Sequence, residues 1–188
     1  MPHSSLNLEN YFKEYHNLLI SDDIFNKLII AKDLILEMKS KGGKIFFAGN
    51  GGSAATASHA AVDFTKQAQI PAMTFTDPAL VTAFSNDFGY DKWVQKAFEF
   101  YSTEKDILFC ISVSGYSENL LNAAKFAKER GNKVLVCTGK TPDNPLRFLS
   151  EIDFYVDSKS YNIVENIHSI WVTSLVDSII GKSVYEVV

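Results

Sequence analysis

The segment SHAAVDFT places His59 and Asp63 four residues apart. On a helix that spacing puts both side chains on one face, one turn apart, as in a hydrogen-bonded proton-transfer pair or two ligands of one ion. The plainer reading of the same spacing is a solvated pair. Just upstream, the apolar run Ile45 to Ala48 ends in Gly49-Asn50-Gly51-Gly52-Ser53. Glycines let backbone approach a ligand closely, and the following helix N-terminus presents free N–H groups at a positive dipole end. Ser53 reads as the N-cap of that helix and as a hydroxyl donor. The loop has neither the Gly-Lys-Ser/Thr of a nucleotide-binding P-loop nor the spaced glycines of a dinucleotide fold. It reads as an anion cradle or, more plainly, as a capped tight turn. A second loop, Ser112-Val113-Ser114-Gly115-Tyr116-Ser117, follows the run DILFCI. Hydroxyls and backbone amides bind phosphate without lysine or arginine. Capping explains Ser117, which opens the next helix, but leaves Ser112 and Ser114 unexplained. Together the loops point to a phosphorylated small ligand.

The elements that must position these loops alternate along the chain. Residues 1–42 read as helix, with Tyr15, Leu18, Leu19, Ile24, Leu28, Ile29, Leu34, Ile35 and Met38 at three- and four-residue spacing. Ser21-Asp22-Asp23 breaks or caps them into two helices, and Lys41-Gly42-Gly43 ends the second. Then five strand-like runs (KIFFA, AMTFT, DILFCIS, KVLVCTG and DFYV) are separated by helical stretches. Short β-branched and aromatic runs between helices predict a doubly wound five-stranded parallel sheet with helices on both faces. The expected organisation is one domain over 1–188, with N-terminal helices at 1–42, an α/β core at 43–181 and a tail at 182–188. Ligands in such folds bind at the carboxyl ends of the strands, where both loops fall.

Composition narrows the classes. The chain has 188 residues, 46% of them hydrophobic, which suits one domain with a full core. A net charge of −4 without a basic stripe argues against direct nucleic-acid binding. No apolar run reaches membrane-span length, and the N-terminus lacks a signal-peptide pattern, so a cytoplasmic location is expected. Cys110 and Cys137 lie in strand-like runs and read as buried free thiols. Trp93 and Trp171 read as core or interface. The alanines of the first loop's helix would let another helix, or a neighbouring chain, approach closely.

The stretches GNGGSAATASHAAVDFT, TFTDPALVTAFSNDFGYD and ISVSGYSENLLNAAKFAKERGNKVLVCTG resemble the sugar isomerase (SIS) domain family, in its phosphoheptose isomerase branch. IVENIHSIWVTSLVDSII matches more loosely. The resemblance implies a homotetramer with active sites at subunit interfaces, isomerising sedoheptulose 7-phosphate for heptose and surface-glycan synthesis. It implies that Asn50, Gly51, Gly52 and Ser53 line the sugar-phosphate pocket. Ser112, Val113, Ser114 and Ser117 would hold the phosphate, and Asn86 and Asp87 would reach substrate hydroxyls. Without it, Asn86-Asp87 reads as a turn before Gly89.

Moving a proton between adjacent carbons through an enediol needs a base, and an acid or metal at the oxygens. By resemblance, Asp63 stands at the family's catalytic glutamate, one methylene and roughly 1.5 Å shorter. His59 is retained, Glu165 stands at a family glutamine, and Thr173 stands at the catalytic histidine. A threonine hydroxyl barely ionises near neutral pH and so cannot act as general acid or base. Two substitutes are available: a zinc-type site of His59, Asp63 and Glu165, or His168 or a group from another subunit. Otherwise His168 reads as a core or interface histidine. The expected catalytic residues are therefore Asp63, Glu165 and His59. The alternative is a non-catalytic phosphosugar-binding protein, or one that, like a branch of the family, associates with the replication initiator.

Overall fold

The computed structural model describes residues 6–185. The N-terminal residues are helical as expected. Helix α1 spans Leu8–Leu19 and α2 spans Asp22–Ser40; Ser21 caps α2, its hydroxyl accepting the Ile24 N–H at 3.2 Å. The strands are β1 Ile45–Gly49, β2 Ala72–Thr74, β3 Ile107–Ser112, β4 Lys133–Gly139 and β5 Ile152–Val156. Between and after them lie α3 Gly52–Lys66, α4 Pro78–Phe88, α5 Trp93–Tyr101, α6 Glu118–Glu129 and α7 Tyr161–Ile180.

The sheet order is β2-β1-β3-β4-β5, and every pairing is parallel. From β1 the chain moves outward to β2, then returns to build β3, β4 and β5 on the other side. The switch point therefore lies between β1 and β3, whose ends align with Gly49 opposite Ile111. That is where open α/β sheets bind ligands. Both loops singled out above leave the sheet there.

Side chains alternate between the two faces with the period of two that a strand imposes. Ile45, Phe47, Ile107, Phe109 and Ile111 pack under α2, α3 and α7. Phe46, Ala48, Leu108 and Cys110 pack under α5 and α6. Phe47, Phe109 and Phe154 stack across three strands at 5.2 and 6.2 Å between centroids. Trp171 closes the first core, its Nε1–H donating to the Leu19 carbonyl at 3.0 Å, which ties α1 to α7. Trp93 is buried in the second core. Both cysteines are buried, and burial pushes the Cys110 thiol up to about 12 and Cys137 well above its usual range. They are inert core residues.

One expectation changes. The N-cap of α3 is Gly51, at φ +56 and ψ −125, and Ser53 lies inside the first turn, 3% exposed. The chain must reverse sharply after β1, and only a glycine adopts that backbone without strain. The helix thus starts earlier than its serine suggests. In α3, Ala57, Ala60 and Ala61 are buried against the molecule's own core, while Ala55 is exposed. Among the described residues no helix is long and apolar enough to cross a membrane.

Candidate active site

Asn50, Ser53, Ile111, Ser112, Val113, Ser114, Ser117, Tyr161 and Glu165 enclose a cavity of about 140 Å³ at the switch point. Its walls are preorganised by local hydrogen bonds. Ser112 Oγ accepts the Gly115 N–H at 3.1 Å and lies 3.4 Å from Ser117 Oγ. Ser114 Oγ accepts the Tyr116 N–H at 3.2 Å. Ser117 is the N-cap of α6 by position, but its side chain makes no capping bond, so its hydroxyl is directed to Ser112. Val113 is anchored by backbone, its carbonyl accepting the Gly139 N–H at 3.0 Å. Gly115 sits at φ +70, and a Cβ there would overlap the side-chain amide of Asn144. Asn144 is fully buried and donates to Thr138 Oγ1 at 3.2 Å and the Thr141 carbonyl at 2.8 Å. The serine loop is thus clamped from the loop after β4.

On the glycine-loop side, Asn50 and Asn119 exchange two amide bonds, at 3.0 and 2.9 Å. The Tyr90 hydroxyl donates to Asn50 Oδ1 at 3.3 Å. Asn50 therefore bridges β1, α6 and the segment before α5. The Glu165 carboxylate, projecting from α7, lies against Gly52, 2.5 and 2.7 Å from where a Cβ would stand. Gly52 leaves room for it, and the N-terminal dipole of α3 favours the negative charge.

His59 Nε2 and Asp63 Oδ2 are 3.1 Å apart on α3, with side chains 59% and 24% exposed. The pair forms as its spacing predicts. It stands well along the helix: at 1.5 Å per residue, His59 and Asp63 lie roughly 10 and 16 Å beyond Gly52. Glu165, beside Gly52, therefore does not join them. No group of three His, Cys, Asp or Glu able to hold a metal forms among the described residues. The expected His59–Asp63–Glu165 set does not assemble within one chain, because α7 approaches α3 with Glu165 level with its first turn. Burial and the carboxylates of Asp177 and Asp63 push the Tyr185 phenol up, so Tyr185 stands near the far ends of α3 and α7.

His168 cannot replace the missing histidine. It is fully buried, and its Nε2 meets the Thr138 carbonyl at 3.0 Å, so Nε2 carries the hydrogen. Its Nδ1 is buried without a partner, and burial lowers its pKa to about 4. It is a neutral core imidazole. Thr173 Oγ1 donates back to the Ser169 and Ile170 carbonyls at 2.9 and 3.1 Å and so is occupied within its own helix. Asn86 and Asp87 lie exposed in the last turn of α4, Asn86 Nδ2 bonding Asp87 Oδ1 at 2.9 Å, and neither lines the cavity. Sequence reasoning missed Asn119, Asn144 and Tyr161. Asn119, two residues after Ser117 in a helix's first turn, was the one with a local signal.

Residues 3–139 match the family model described as the SIS domain. The chain belongs to the SIS domain family. Within it, the chain falls in the phosphoheptose isomerase branch. It is 34% identical over 167 residues to the phosphoheptose isomerase of Glaesserella parasuis, covering 86% of this chain and 83% of that one. It is 38% identical over 120 residues to that of Cytophaga hutchinsonii, covering 61% and 63%. The solved phosphoheptose isomerase of Francisella tularensis superposes with a TM-score of 0.81 at 27% identity, over 93% of this chain and 97% of that one. SIS membership fits the cavity at the β1–β3 switch point and the serine loop beside it.

Proposed function

We propose that this protein is a sugar-phosphate isomerase that interconverts sedoheptulose 7-phosphate, or a close relative, with the corresponding aldose. The observation that carries the reading is the hydroxyl-lined cavity between the glycine loop and the serine loop, together with the His59–Asp63 pair on the same helix. The cavity takes the phosphate. Ser112, Ser114 and Ser117 donate to its oxygens, and the first turn of α3 adds its dipole. His59 donates Nε2–H to Asp63 and offers the Nδ1 lone pair as base. It takes a proton from the carbon bearing the hydroxyl as water protonates the neighbouring carbonyl oxygen; the water is restored when the enediol gives up its hydroxyl proton in the next step. The resulting enediol loses a hydroxyl proton and accepts the carried proton at the adjacent carbon. A zinc ion held by His59 and Asp63 would need further ligands, such as groups from a second copy, and would polarise the sugar oxygens.

The pair's exposure supports an assembly in which a second copy closes the site. Val62 on the same helix is 59% exposed, and Phe12, Phe25, Ile29 and Ile30 leave α1 and α2 with uncovered apolar surface. The reading is a homotetramer acting in the cytoplasm on precursors of a heptose-containing surface glycan. The competing reading is a phosphosugar-binding protein without turnover, favoured by Thr173 and by the burial of His168. Incubation with sedoheptulose 7-phosphate, followed by NMR, separates them. Aldose formation lost in Asp63→Asn supports the isomerase. Tight calorimetric binding without turnover, with and without added zinc, assigns the binding protein.

A further inference from the structure

The walls of the phosphate cavity carry the Glu165 carboxylate and no ammonium or guanidinium among the described residues. A phosphomonoester adds roughly −1.5 to −2 charges near neutral pH. Hydroxyls and a helix dipole orient such an anion, but they do not balance it beside a fixed carboxylate. Hydroxyls can hold the anion alone, but a cation close to the wall offsets the Glu165 carboxylate, and one touches it. Lys140 Nζ lies over the ring of Tyr161, 3.7 Å from the centroid, and Tyr161 is a wall residue.

Two contacts of its own backbone and one of its neighbour's hold Lys140 there. Its N–H donates to the Ser158 carbonyl at 3.0 Å, and its own carbonyl accepts the Tyr155 hydroxyl at 3.4 Å. Its neighbour Gly139 bonds the Val113 carbonyl of the serine loop at 3.0 Å. The lysine is therefore anchored one residue from a direct bond to the phosphate loop. Its φ is +61, a left-handed conformation that a residue with a Cβ adopts at an energetic cost. A glycine would relieve that cost but could not supply the charge.

We propose that Lys140 is the charge partner of the bound phosphate, and that the Tyr161 ring parks its ammonium at the pocket edge until the anion arrives. This rests on the phosphate reading of the cavity. When phosphate enters, the flexible four-carbon stem carries the ammonium off the ring face to the phosphate oxygens. The exchange is favourable because a charge-assisted hydrogen bond is stronger than a half-exposed cation–ring contact. Lys140 thereby selects phosphorylated over neutral sugars, while the serines set orientation.

The test is calorimetry with inorganic phosphate and with sedoheptulose 7-phosphate at low and high salt, on the intact chain. Lys140→Gly is the main variant, because it removes the charge while easing the backbone, so its melting temperature should hold or rise. It should bind both ligands about tenfold more weakly than the unmodified protein, with a shallower salt dependence. Lys140→Arg should recover most of the affinity. In turnover, the loss should appear in KM and not in kcat. Tyr161→Phe should keep the affinity, because the ring face remains. Lys140→Gly affinity within twofold of the unmodified protein, for a correctly folded variant, overturns the assignment of Lys140 and leaves the phosphate reading standing. Failure of the unmodified protein to bind either ligand removes the phosphate reading, and this assignment with it.

Discussion

Replacing Glu165 by glutamine should tighten phosphate binding. The Glu165 carboxylate lies at the first turn of α3, 2.5 Å from where a Gly52 Cβ would stand, and lines the cavity of about 140 Å³. We take a separation of roughly 6 Å between a phosphate in that space and the carboxylate. Taking a phosphate charge of about −1.5 to −2 and the dielectric constant of water, Coulomb's law gives a repulsion of about 1–1.4 kcal/mol. Removing it corresponds to roughly five- to tenfold tighter binding. A lower local dielectric would enlarge the effect, and salt would shrink it. The glutamine keeps shape and one acceptor, but it loses the attraction to the α3 dipole, so folding stability should drop by about 0.5 kcal/mol. Calorimetric titration with inorganic phosphate at low ionic strength, repeated at high salt, measures the difference. Unchanged or weaker binding by Glu165→Gln would show that the carboxylate does not face the anion and would refute the charge argument. If Glu165 is instead an obligatory acid, turnover will vanish in this variant while phosphate affinity stays the same.

Gly115→Ala should destabilise the protein and abolish phosphate binding. It forces a Cβ into a left-handed backbone and into the buried Asn144 amide, costing about 3 kcal/mol. For a chain of this size that lowers the melting temperature by about 6–12 °C, and an unchanged melt would contradict the clamp. His168 should make stability pH-dependent. Its folded pKa is about 4 against 6.5 unfolded, so between those values the unfolded chain binds the extra proton. Its contribution is complete above the unfolded pKa and is lost as pH falls from 6.5 towards 4, by roughly 3 kcal/mol in all. Chemical denaturation at stepped pH should show that slope in the native protein and lose it in His168→Leu, compared at each pH with its own stability at pH 7.

Features that depend on neighbours within a few residues were legible in the sequence. The alternation of apolar runs and helical stretches led to the five parallel strands. Of the loop after β1, Asn50 and Ser53 line the cavity while the expected Gly51 and Gly52 do not, and the hydroxyls of Ser112, Ser114 and Ser117 line another edge. His59 and Asp63 meet because four residues make about one helical turn. The start of α3 was misplaced by its serine, because a cap preference is weaker than the reversal imposed after β1.

By itself the sequence determined the local periods, the glycine and serine loops and the His59–Asp63 contact. Each is set by backbone geometry over one or two turns. Only the tertiary structure decided that Glu165 meets Gly52 and not the His59–Asp63 pair, that His168 is sealed in the core, and that Lys140 reaches the phosphate wall through Tyr161. These contacts join residues brought together only when α7 and the β4 loop pack against α3 and the sheet. The depth and angle of that packing come from the summed burial of two hydrophobic cores, which no short stretch of sequence encodes.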